Sequence, residues 1–153
     1  MMSSVATYLW FGTGQAEEAA LLYVSVVPNS GIDEVVRRED GSAFIIRFHL
    51  DSQQFLAMNG DPGHEFTDAI SISVTVEDQT TLDLVWDTLS FGGEEGNCGW
   101  LTDRFGVSWQ VIPSIVAEFM SSSEAERSAA AWNALLAMKK LNIETLERAY
   151  HNA

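Results

Sequence analysis

The order of elements predicts an α+β chain of two strand–helix–three-strand modules with mostly antiparallel sheets, followed by C-terminal helices. Three observations carry the prediction. Apolar residues recur at helical spacing in two stretches, 16–27 and 79–89, each directly after a strand-like run. After each helix come three short strand-like runs, separated by turn residues as in hairpins. From about residue 114 the texture changes to alanine-rich helical sequence.

Val5–Phe11 reads as the first strand, and Gly12-Thr13-Gly14 breaks it. The helix Ala16–Val26 follows, with Ala16, Ala19, Ala20, Tyr23 and Val27 along one stripe, and Pro28-Asn29-Ser30-Gly31 stops it. Ile32–Arg38 and Ala43–Leu50 form a hairpin about Glu39-Asp40-Gly41-Ser42. Gln53–Met58 is the fourth strand, ended by the loop Asn59-Gly60-Asp61-Pro62-Gly63.

The second half repeats this order of elements without residue-level identity. In Ile70–Val76, Ile70, Ile72, Val74 and Val76 share one face, and Ser71, Ser73 and Thr75 the other. A helix over Gln79–Leu89 presents Leu82, Val85, Trp86 and Leu89 to a core, and Gly92-Gly93 ends it. Strands follow near Glu94, over Gly99–Asp103 and over Val107–Ile112, the last two joined by a turn. In that turn Asp103 is expected to bond local backbone amides and Gly106 to take a positive φ. In the tail, Ser123-Glu124-Ala125-Glu126 offers a capping box for a helix running to Lys139-Lys140. Asn142 is placed to cap a last helix to about Tyr150. Trp132, Leu135, Leu136 and Leu141 imply that the tail packs, either on the domain's outside or on a partner chain.

At 153 residues and 46% hydrophobic composition the chain suffices for a single domain, 1–153. Its modules fall at about 5–60 and 68–113, and its helical tail at about 114–153. The net charge of −14 repels phosphate backbones and anionic lipids, so neither nucleic acid nor membrane is expected as a partner. A single cysteine cannot form an internal disulfide, which suits a reducing compartment. MMSSVATYLWFG has neither the basic start nor the long apolar run of a signal peptide, and no stretch approaches the ~20 apolar residues of a membrane span. A cytoplasmic location is expected.

Leu9–Ile32 (LWFGTGQAEEAALLYVSVVPNSGI), Gly92–Pro113 (GGEEGNCGWLTDRFGVSWQVIP) and Phe55–Pro62 (FLAMNGDP) resemble the PhnB-like branch of the vicinal oxygen chelate superfamily. That branch carries the label "3-demethylubiquinone-9 3-methyltransferase domain"; the superfamily includes glyoxalase I and bleomycin-resistance proteins. The resemblance implies βαβββ modules whose sheets curl around a cup, with helices outside. It places Tyr8, Trp10, Ser108, Gln110 and Ile112 inward. Strand periodicity adds Ile45, Arg47 and His49, leaving Phe44, Ile46 and Phe48 under a helix. Ser71, Ser73 and Thr75 then line the cup.

Metal-using members of the superfamily carry His or Glu near the start of each module's first strand and on its last strand. Here the matching positions are Ala6, Ala69, Gln110 and the stretch Ala57–Asn59. Methyl groups donate no lone pair and an amide is a poor substitute for a carboxylate, so no metal and no cofactor are expected. His49 and Asp51 form only a weak His-x-Asp pair, and His64-Glu65 lacks the second histidine of a zinc-protease helix. Gly12-Thr13-Gly14 does not continue as a dinucleotide fingerprint, because Glu17 stands where a small residue is needed and no parallel βαβ unit follows. A methyltransferase is therefore not indicated.

The ligand-binding candidates are Tyr8, Trp10, Arg47, His49, Asn59, Ser71, Ser73 and Gln110, with Cys98 and Trp100 at the rim. Cys98 has no base near it in sequence and reads first as a small packing residue. Trp109, of opposite parity to Gln110, belongs under a helix. Arg47 either pairs with a carboxylate of this acidic chain or fixes a ligand carboxylate or phosphonate, with His49 as a donor. The expected function is binding of a small polar or anionic molecule in a metal-free cup. The alternatives are a superfamily isomerase or oxygenase using a divalent metal, and an interaction protein with a vestigial cup. The resemblance also implies a homodimer.

Overall fold

In a computed structural model, which describes residues 4–153, the described chain divides into two compact units at the junction between Phe66 and Thr67. The first contains β1 (Thr7–Phe11), α1 (Ala16–Val26), β2 (Gly31–Arg37), β3 (Ala43–Leu50) and β4 (Gln53–Asn59). Its sheet has the order β1-β4-β3-β2, with β1 parallel to β4 and the other neighbours antiparallel. The second unit repeats this with β5 (Ile72–Val76), α2 (Gln79–Ser90), β6 (Glu94–Glu95), β7 (Trp100–Thr102) and β8 (Ser108–Pro113), in the order β5-β8-β7-β6. Here β5 and β8 are the parallel pair. Three helices follow: α3 (Ile115–Ser121), α4 (Ala125–Leu136) and α5 (Ile143–His151). Among the described residues no helix is long and apolar enough to cross a membrane.

The helical stripes are buried as their spacing predicts. Ala16, Ala19, Ala20, Tyr23 and Val27 are all buried, and so are Leu82, Val85, Trp86 and Leu89. In the first unit they meet Leu9, Phe11, Ile46, Phe48, Phe55 and Ala57, one parity of β1, β3 and β4. Small residues on α1 let the helix approach the sheet closely, and the bulk is supplied by aromatics, with Phe48 stacked on Phe55 at 5.2 Å. Every second residue of these strands is left for the opposite face.

Four expectations need correction. The first strand of the second unit begins at Ile72, so Ile70 is outside it and 70% exposed. Asn59 is the last residue of β4 and buried, not a loop residue. The capping box does not form: α4 begins after Glu124, with no side-chain cap. Instead the neighbouring Ser122 hydroxyl accepts from the Glu124 N–H and shares a 2.7 Å hydrogen bond with Tyr150 of α5. Finally, α4 ends at Leu136, short of Lys139-Lys140.

The reason for that early end lies in what the tail does next. Met138 and Lys139 turn their carbonyls to the backbone N–H groups of Cys98 and Gly99, at 2.8 and 2.9 Å. Leu141 is fully buried, and its carbonyl accepts from Gln79 Nε2. Gln79 Oε1 takes the Ile143 N–H, while Asn142 caps α5 by accepting from Thr145 N–H. A helix continued to Lys140 would forfeit all of these contacts. The tail is thus part of the second unit's own packing.

Lys140 closes the same segment, with Nζ 3.0 Å from Asp87 and 3.4 Å from Asp83. Partial burial opposes its charge, but the hydrogen bonds and attraction of Asp87 and Asp83 outweigh this and raise its pKa above the ordinary 10.5. A group with a raised folded pKa stabilises fully below its unfolded value and loses that contribution as pH rises through the folded one. Above pH 10.5 the urea midpoint of the wild type should therefore fall more steeply than that of Lys140→Met. Parallel curves would show that the pairing contributes nothing.

Candidate functional site

In the first unit, the sheet face away from α1 carries two cross-strand rows set by the register. Tyr8, Leu56, Arg47 and Glu34 stand side by side across β1, β4, β3 and β2. Trp10, Met58, Ile45 and Val36 form the next row, and Gln54 and His49 pair on the far side of the first. Directly opposed residues point to the same side of a sheet, so these groups share one open surface. Tyr8 is 49% exposed, and its hydroxyl reaches Met58 Sδ at 3.5 Å. A depression of about 330 Å³ adjoins Gln54, lined also by Val5, Ala6, Thr7, Ser52 and Gln53.

The two bases on β3 are both partnered. Arg47 Nη2 donates to Glu34 at 2.9 Å, and His49 Nδ1 lies 3.0 Å from an Asp33 carboxylate oxygen. Arg47 is therefore paired with a carboxylate, the first of the two readings its sequence context allows.

Trp10 lies on the open parity, yet its indole is engaged by its own unit. Its Nε1–H donates to the Asp61 carbonyl at 2.9 Å, and its ring sits 4.6 Å from that of His64. The indole lies so close over Gly60 that a Cβ there would come within 2.5 Å of Cε2. Only glycine fits beneath it.

Asn59 faces the other way, with Phe55 and Ala57. Its Oδ1 accepts the Ala16 N–H at 2.9 Å, and its Nδ2 donates to the Ala43 carbonyl at 3.0 Å. Gln15, the N-cap of α1, makes no side-chain cap, so Asn59 supplies from β4 the acceptor that a helix start requires. Both ends of its amide serve the scaffold.

In the second unit, Ser73, Gln110 and Trp100 form one cross-strand row. Gln110 Nε2 donates to the Ser71 hydroxyl at 3.0 Å, just ahead of β5. Ser108, on the parity of Gln110, is buried. Cys98 occupies a tight turn in which it and Gly99 both have positive φ, 62° and 82°. Trp109 is fully buried on the helix side, donating to the Asp103 carboxylate at 3.0 Å.

The positions at which a superfamily metal would be held do not fit one. Ala6 and Ala69 are exposed residues ahead of β1 and β5, and Gln110 is already bonded to Ser71. Among the described residues, no three His, Cys, Asp or Glu side chains come together as a metal would require. These positions offer methyl groups, which donate no lone pair, and a neutral amide, and this chemistry does not suit a divalent transition ion.

Residues that sequence reasoning missed are Asp33, Glu34, Gln54, Leu56 and Met58. The β4 residues were readable, because Phe55 and Ala57 are the apolar parity and their neighbours must face the other way. Asp33 and Glu34 were not, because their placement depends on a shift in strand register.

Two βαβββ units, each with its first and last strands paired in parallel, define a vicinal oxygen chelate fold, of the glyoxalase and bleomycin-resistance type. The chain belongs to the 3-demethylubiquinone-9 3-methyltransferase family, its PhnB-like branch, whose profile matches residues 3–112. The PhnB protein from Bacillus cereus is 30% identical, covering 73% of this chain and 100% of its own, with a TM-score of 0.68. A Pseudomonas aeruginosa protein is 21% identical over 73% of this chain and 98% of its own, at a TM-score of 0.61. The fosfomycin resistance protein FosX from Listeria monocytogenes shares the fold at 14% identity, over 80% of this chain and 100% of its own, at a TM-score of 0.55. No curated protein matches the chain. The family match ends at residue 112, so the helical tail lies beyond it.

Proposed function

We propose that this protein binds a small polar molecule on the open face of its first module, without a metal ion. The observation that supports this reading is the surface shared by Tyr8, Leu56, Arg47, His49 and Gln54. Binding sites need apolar area for contact and a few placed polar groups for orientation, and this face offers both. The methyltransferase activity in the family's name finds no support in Gly12-Thr13-Gly14, which feeds α1 as a tight turn with Gly14 at φ 78°. The single cysteine, which suits a reducing compartment, supports a cytoplasmic location.

The test is native mass spectrometry of protein purified from its own host, joined to thermal melts against a panel of small polar metabolites in the presence of a chelator. A molecule at 100 times its Kd should stabilise the native state by about 2.7 kcal/mol. Tyr8→Ala and Gln54→Ala should abolish that shift while leaving the ligand-free melt in place. A bare protein mass together with a flat panel would defeat the reading; a retained stoichiometric metal would favour a superfamily enzyme instead.

A second reading, a homodimer, is favoured by the outer face of α4, where Trp132 and Leu136 are 46% and 51% exposed one turn apart. Sedimentation equilibrium checks it: a monomer mass at every loading concentration removes it.

A further inference from the structure

The pairing of β2 with β3 slips by one residue. Ile32 opposes Phe48 and Glu34 opposes Arg47, leaving Asp33 as an extra residue between them. In a regular strand Asp33 and Glu34 would point to opposite faces. The bulge lets both turn toward β3's open parity. Glu34 then meets Arg47 at 2.9 Å, and Asp33 brings both carboxylate oxygens to His49 Nδ1, at 3.0 and 3.1 Å. Each base on the open face has its own built-in counter-ion.

Arg47, Glu34, Asp33 and His49 sum to zero charge when His49 is protonated and to −1 when it is neutral. An incoming carboxylate, phosphate or phosphonate must therefore compete with Glu34 for Arg47 and sit beside two carboxylates. The chain's net charge of −14 adds to that repulsion. An uncharged or dipolar molecule meets no such penalty and can use Tyr8, Gln54 and the outer edges of the two ion pairs.

We propose that Asp33 and Glu34 are specificity determinants that close this face to anions and reserve it for uncharged or dipolar ligands. The inference rests on the reading that this face binds small molecules. It narrows the ligand class by repulsion: like charges placed against the wrong guest discriminate as effectively as contacts to the right one.

The experiment is an amide chemical-shift titration with methylphosphonate and with inorganic phosphate at constant ionic strength. It compares the wild type, Glu34→Gln, and the double variant Asp33→Asn/Glu34→Gln. The expected result is no saturable shift on β2 and β3 in the wild type. The double variant should show saturable shifts there, with affinity at least about tenfold higher, since juxtaposed like charges cost several kcal/mol. Adding Arg47→Ala to the double variant should remove the gained site. Should the double variant not fold, Glu34→Gln alone carries the comparison. Wild-type binding as tight as the variant's overturns the proposal. So does absence of binding in wild type and variants alike, because neutralisation would then not be what admits an anion. The titration needs no natural ligand, so a gained anion site beside a bare native mass and a flat melt panel would defeat the functional reading and leave standing only the exclusion of anions by Asp33 and Glu34.

Discussion

Replacing Asp103 with alanine is expected to destabilise the protein by about 3 kcal/mol or more, a fall in melting temperature of roughly 6–12 °C for a chain of this length. Asp103 is 2% exposed, which for a carboxylate demands compensation. It is compensated from one short hairpin. Oδ1 accepts the N–H groups of Phe105 and Val107 at 2.9 and 3.0 Å, and Oδ2 accepts Trp109 Nε1–H at 3.0 Å. Alanine deletes the acceptors and leaves the buried Val107 and Trp109 donors without this partner. Asp103→Asn separates the two halves of the effect. An amide keeps one acceptor oxygen for the backbone pair but turns an NH₂ toward the indole N–H. The variant should therefore lose much of the stability, and Trp109→Phe in the same chain should recover part of that loss. A double-mutant cycle by urea denaturation measures it; a coupling of zero would mean that the indole contact contributes nothing.

Asp103 also shows what kind of information sequence carries well. Its role as a turn acceptor, and the positive φ of Gly106, 92° here, follow from chemistry confined to a few consecutive residues. The same holds for the stripes on α1 and α2, where helical period alone chooses the buried side. Alternation in β3 likewise separates Ile46 and Phe48 from Arg47 and His49. Legibility fails where one partner is distant in sequence. The capping motif at Ser123 is locally sound, but Tyr150 holds Ser122, and that hydroxyl takes the neighbouring amide. The lysines at 139 and 140 read as a helix end until Cys98 and Gly99 ask for two carbonyls. The candidate site has the same character. Arg47 and His49 were visible from parity and Tyr8 from the family resemblance, whereas the acidic pair that partners Arg47 and His49 depends on a register shift between strands. Nothing in the run Gly31–Arg37 marks which residue will be the extra one.

Gly93→Ala is expected to cost as much as Asp103→Ala, through backbone overlap instead of lost acceptors. A methyl group at Gly93 would overlap the Thr102 carbonyl oxygen and lie 2.7 and 2.9 Å from the carbonyl carbon and Cα of Asp103. These are backbone atoms at the end of β7, so no rotamer change relieves the clash. The chain between α2 and β6 must move, and with it the pairing of Glu94 and Glu95 with Thr102 and Leu101. Trp86 Nε1 donates to the Glu95 carboxylate at 2.9 Å, so displacing β6 also strips a polar partner from a fully buried indole. The combined loss is expected to reach at least about 3 kcal/mol, the upper end for overpacking. Gly41→Ala supplies the control. Gly41 has φ 87° but nothing within 4 Å of its added methyl, so only the left-handed backbone resists, at roughly 1–2 kcal/mol. Urea denaturation of the two variants should rank Gly93→Ala well below Gly41→Ala. Equal midpoints would mean that β6 yields freely, and that the approach of Gly93 to β7 is not a structural constraint.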